Sequence, residues 1–81
     1  MAAKKGDFVK LKNDYYFSGG IVTPIALGMI NDISEYNVSF KNIRIQFENN
    51  GIIFPIITFV ITNSSPQEED YFEVVDVDDV L

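Results

Sequence analysis

Ile43-Arg44-Ile45-Gln46-Phe47-Glu48-Asn49-Asn50-Gly51-Ile52-Ile53-Phe54-Pro55-Ile56-Ile57-Thr58-Phe59-Val60-Ile61 is the stretch that decides the fold. In its first half Ile43, Ile45 and Phe47 alternate with Arg44, Gln46 and Glu48, the two-residue period of a strand with one face buried. Asn50-Gly51 follows, a dipeptide suited to a type I′ turn because both central residues of that turn need positive φ. A hairpin is therefore predicted. Its second arm, Ile52 to Ile61, is apolar at both parities, which a sheet with one wet face does not require. Pro55 lies inside that arm and has no N–H to give a ladder, so it belongs at an edge or a bulge.

Upstream, Val38-Ser39-Phe40 opens an extended segment whose apolar parity shifts between Phe40 and Ile43, predicting a bulge or short turn at Lys41-Asn42. Asn31 to Glu35 has turn composition, and Ala26 to Ile33 reads as a strand in which Gly28 marks a bulge or bend. Helical spacing also fits Ile25, Met29 and Ile33, but Gly28 and the missing N-cap pattern disfavour a helix. Val9 and Leu11 alternate with Lys10 and Lys12 in a first strand, and Tyr15-Tyr16-Phe17-Ser18-Gly19-Gly20 reads as a long loop folded over after it. Downstream, Asn63 to Asp70 is a polar loop and Tyr71 to Val77 a closing strand. The chain of 81 residues is read as a single domain, 1–81, of all-β class.

Composition removes much chemistry. With no Cys and no His, disulfide scaffolds, Cys/His zinc sites, thiolate nucleophiles and histidine bases are excluded. Asp32 and Glu35 form a carboxylate pair without an identifiable partner base or nucleophile, so the expectation is no enzyme, no catalytic residues, no cofactor and no metal. The run Asp76-Val77-Asp78-Asp79 lacks the Gly and closing Glu of an EF-hand loop. Met1 to Asp7 is basic but has no apolar stretch behind it, unlike a signal peptide, and the apolar run of ten residues is short of the roughly 20 a membrane helix needs. A cytoplasmic protein with no membrane span is the expectation.

Net charge is −6, with lysines at the start and acids from Glu68 to Asp79. Such a surface repels phosphate backbones, so no nucleic acid is expected as a partner, and a basic protein is electrostatically easier. The acidic end has two readings, a solvated surface or a mimic of nucleic acid that inhibits a basic protein. The combination of small size and acidity is also met in phage-encoded proteins.

Five or six short strands with a long excursion after the first suggest a small barrel. Lys5-Gly6-Asp7-Phe8-Val9-Lys10-Leu11 resembles the opening strand of SH3-like barrels, and Leu27-Gly28-Met29-Ile30-Asn31-Asp32-Ile33 is similar to their second. Val38 to Glu48 supplies a third, and Tyr15-Tyr16-Phe17 lies where such domains, the E-type subunit of photosystem I among them, carry aromatics in the first loop. The resemblance covers about half the chain and implies an SH3-like small β-barrel, with no activity attached. The Ser18 to Ile25 connection and the 52–61 arm are both longer than that pattern.

Two groups of residues are candidates for partner binding. An exposed arm from Ile52 to Ile61 would aggregate unless covered by its own fold, another copy or a partner. That points to Phe54, Ile57, Phe59 and Ile61 as an interface for a protein partner or homo-oligomer, with burial inside the monomer the competing reading. On the interface reading, Ile57→Asp or Phe59→Asp dissociates an assembly without unfolding the domain. Tyr15 and Tyr16, with Phe17 and Tyr36, are candidates for an aromatic platform of the kind that takes proline-rich peptides, Asp14 and Glu35 supplying nearby acids.

Overall fold

Asn50 and Gly51 have φ values of 53° and 82°, the left-handed pair that a two-residue type I′ hairpin demands. The strands they join are β5 (Phe40–Asn49) and β6 (Ile52–Ile53), with Asn49 opposite Ile52 and Glu48 opposite Ile53. The computed structural model describes residues 3–63 and 71–76. Within them the chain is all-β, its other strands being β1 (Phe8–Leu11), β2 (Tyr15–Phe17), β3 (Gly20–Val22), β4 (Leu27–Glu35), β7 (Ile57–Thr62) and β8 (Phe72–Val75). Antiparallel pairing orders the main sheet β6-β5-β4-β1-β8, with β7 continuing along the same side of β5 as β6, while β2 and β3 form a separate hairpin.

The arm that sequence reads as one strand is two, and the break decides which side chains enter the core. Phe54, Pro55 and Ile56 lie opposite only Phe47 and Gln46, because Ile53 pairs with Glu48 and Ile57 with Ile45. The extra residue is a bulge, and Pro55, which cannot donate to the ladder, sits within it. Phe54 N–H still reaches the Phe47 carbonyl at 2.9 Å. Since side chains alternate with a period of two, an uninterrupted register would have turned Thr58, Val60 and Thr62 inward. The bulge turns Ile57, Phe59 and Ile61 inward instead, and they are buried with Ile43, Ile45 and Phe47 of β5.

Other departures from the sequence reading have local causes. Tyr15 to Gly20 is a β-hairpin rather than a loop, Tyr15 pairing with Val22 and Phe17 with Gly20. β4 runs through Asn31 to Glu35, and its register shifts between Ile30 and Asp32, so the irregularity lies in β4 and not at Lys41-Asn42. Phe40 keeps an unbroken register and simply faces out, 36% exposed. The turn falls at 36–39, where Asn37 Oδ1 accepts from the N–H groups of Ser39 and Phe40 at 2.8 and 2.9 Å, the local bonding that makes Asn a turn former. Gly28 sits in regular pairing between Val9 and Phe47, not at a bend.

The main sheet curls around its core. β7 and β8 lie at opposite ends of the strand order, yet Phe59 of β7 meets Phe72 of β8 with ring centroids 5.7 Å apart. The β2-β3 hairpin lies over the open side, where Tyr15 packs edge-on to Phe59 at 5.1 Å and Phe17 meets Phe54 at 6.3 Å. Ala3, Val9, Leu11, Val22, Ala26, Ile30 and Phe72 complete the buried cluster.

Candidate functional site

The six residues that sequence singles out as partner-binding are not one surface. Ile57, Phe59 and Ile61 are 6%, 3% and 6% exposed, so they belong to the core and not to an interface. This corrects the sequence expectation for them, and the reason is the bulge at 54–56, which fixes their parity inward. Ile57→Asp or Phe59→Asp would bury an unpaired carboxylate, so unfolding replaces dissociation as the consequence. Phe54 and Tyr15 are half-buried against the core, and Tyr16, 71% exposed, stands on the outer side of the hairpin.

The residues that remain outside are the complementary half of the same arm. Ile52, Ile53, Ile56 and Val60 are 64%, 63%, 48% and 45% exposed. Among the described residues no strand pairs with the far side of β6 or β7. Sequence could not separate these four from their buried neighbours, because every candidate in the arm except Pro55 and Thr58 is apolar.

Two of the hollows that border this arm bear on docking. A cleft of about 360 Å³ runs between the β2-β3 hairpin and the bulge, with Tyr15 and Phe17 on one wall, Pro55 to Thr58 on the other, and Ser18 and Gly19 at its end. Among the described residues no charged side chain lines it. The second is a smaller depression of about 160 Å³ on the outer face of the sheet, over Phe8, Leu27 and Met29, bordered by Gln46, Glu48 and Ile53. Phe8 belongs to this face because Val9 and Leu11 point inward, and Met29 because Gly28 and Ile30 do.

Tyr36 lies in the 36–39 turn, 61% exposed, while Tyr15 and Phe17 line the cleft and Tyr16 stands on the outer side of the hairpin. Asp14 lines a separate hollow with Leu11, Phe59 and Tyr71 on the other side of Tyr15. The carboxylates considered for chemistry have ionic neighbours: Asp32 Oδ2 accepts from Arg44 Nη2 at 3.1 Å, and Glu35 stands opposite Lys41. Of the acids between positions 68 and 79, Glu73 and Asp76 are described, and the other acids lie outside the described residues. Among the described residues no three His, Cys, Asp or Glu side chains are grouped as metal ligands, and no helix is long and apolar enough to cross a membrane. Comparison with protein-family models, with curated proteins and with solved structures finds no match to this chain.

Proposed function

We propose that the chain is a non-enzymatic protein-binding or assembly module that docks through the outward half of the 52–61 arm. One observation carries the reading. After the core has taken Ile57, Phe59 and Ile61, the same arm still holds Ile52, Ile53, Ile56 and Val60 roughly half exposed or more, on a sheet edge with no strand beyond it among the described residues. Water-exposed apolar side chains concentrated on an unpaired edge invite association, and proteins that do not use such an edge generally charge, shorten or cover it. β7, Ile57–Thr62, carries no charged residue. An SH3-like architecture is part of the proposal, supported by the excursion between the first strand and β4 and by the return of β8 to the side of β1.

Site-specific photo-crosslinking in the producing cell tests the reading. A photoreactive side chain at Ile53, Ile56 or Val60 is expected to give discrete adducts, whereas one at exposed Lys5 or Glu35 gives none. Equal labelling at all five positions, or adducts only at the controls, contradicts it.

A further inference from the structure

We propose that the depression on the outer sheet face binds a partner-protein segment carrying a large apolar side chain beside a lysine or arginine, the apolar group seating on Phe8 and Met29 and the cation pairing with Glu48. The inference rests on the reading of the chain as a protein-binding module and names the chemistry of the partner.

Strand registers lay this face out. Val75, Phe8, Met29 and Gln46 form one row across β8, β1, β4 and β5, and Leu27, Glu48 and Ile53 form the next across β4, β5 and β6. Phe8, Leu27 and Val75 are half-buried and Met29 is 40% exposed, so the apolar floor is continuous. The charges around it are matched across strands: Lys10 stands opposite Glu73, and Arg44 bonds Asp32 at 3.1 Å. Glu48 is the exception, because its neighbours on both sides, Leu27 and Ile53, are apolar and no cation faces it across either ladder.

That unmatched carboxylate selects the occupant. A second copy docking face to face would bring a second Glu48 towards the first in a symmetric contact, and both copies carry net charge −6. A basic segment supplies the missing charge and is drawn in by the field of the whole molecule. An apolar side chain next to the cation fills the depression, which a freely solvated lysine does not need.

Selection of displayed random peptides against the full chain provides the test, followed by titration of the best synthetic peptide. Selected sequences are expected to place Lys or Arg within a few residues of a large apolar residue. Met29→Asp should weaken binding about tenfold or more, and Glu48→Gln about two- to fivefold, less as salt rises. Glu48→Lys should shift selection towards Asp- and Glu-bearing peptides while leaving the urea unfolding curve in place. Recovery of no binder, of binders without a cation, or of binders indifferent to Met29→Asp overturns the proposal. So does a defined oligomer in light scattering that Met29→Asp dissolves, which would seat a second copy on this face. Binders lost on Val60→Asp but not on Met29→Asp overturn this inference and leave the module reading standing.

Discussion

At the scale of single residues, Gly28 shows how close packing, rather than turn chemistry, can demand a missing side chain. A Cβ there would stand 2.6 Å from Phe47 Cε1 and 2.8 Å from Ile45 Cγ2, both on fully buried side chains. Gly28→Ala should therefore destabilise the fold by about 1–3 kcal/mol, the usual cost of overpacking, read from urea unfolding. Sequence flagged the residue but assigned it to a bend, since which ring lies across the sheet depends on register. Gly51 is the opposite case, legible from Asn50-Gly51 alone. With φ at 82°, Gly51→Ala should cost about 1–2 kcal/mol while pairing of β5 with β6 persists in amide exchange.

At the scale of elements, the 54–56 bulge is the feature that sequence left open. Alternation made β5 readable because its two faces differ in polarity, whereas the arm reverses its parity at the bulge, Ile53 facing out and Ile57 in, and alternation alone does not show where such a reversal falls. The choice follows from what each register offers the core: Ile57, Phe59 and Ile61 against Thr58, Val60 and Thr62. Deleting Pro55 removes the extra residue and should leave Ile57 opposite Ile45, straightening the ladder without changing the core. Cross-strand proton contacts between residues 45 and 57 check this, and their loss would mean that the bulge does not set the register. The β2-β3 hairpin was missed for a related reason. Tyr15-Tyr16-Phe17-Ser18-Gly19-Gly20 has turn composition at its end, but Tyr15 packs on Phe59 and Phe17 on Phe54, long-range contacts that local sequence does not display.

At the scale of the whole molecule, a short chain divides its apolar residues between a thin core and the outside. The core cannot spare much: Phe47→Ala should cost about 3–5 kcal/mol, a large share of the roughly 5–15 kcal/mol that stabilises an ordinary domain. Surface ions matter less, and Arg44→Gln, which breaks a half-exposed pair with Asp32, should change stability by about 1 kcal/mol or less, vanishing in high salt. The all-β class followed from alternation and turns, but the strand order and the candidate surface did not, because the first rests on long-range pairing such as that of β1 with β8 and the second is defined by what the core leaves over. The division of the arm is thus the premise of both functional proposals. Equilibrium urea unfolding of Phe59→Asp beside Val60→Asp tests it most directly. The first variant should show no cooperative transition, and the second should unfold within about 1 kcal/mol of the parent chain. A folded Phe59→Asp with an unfolded Val60→Asp, or equal losses in the two, would contradict the account.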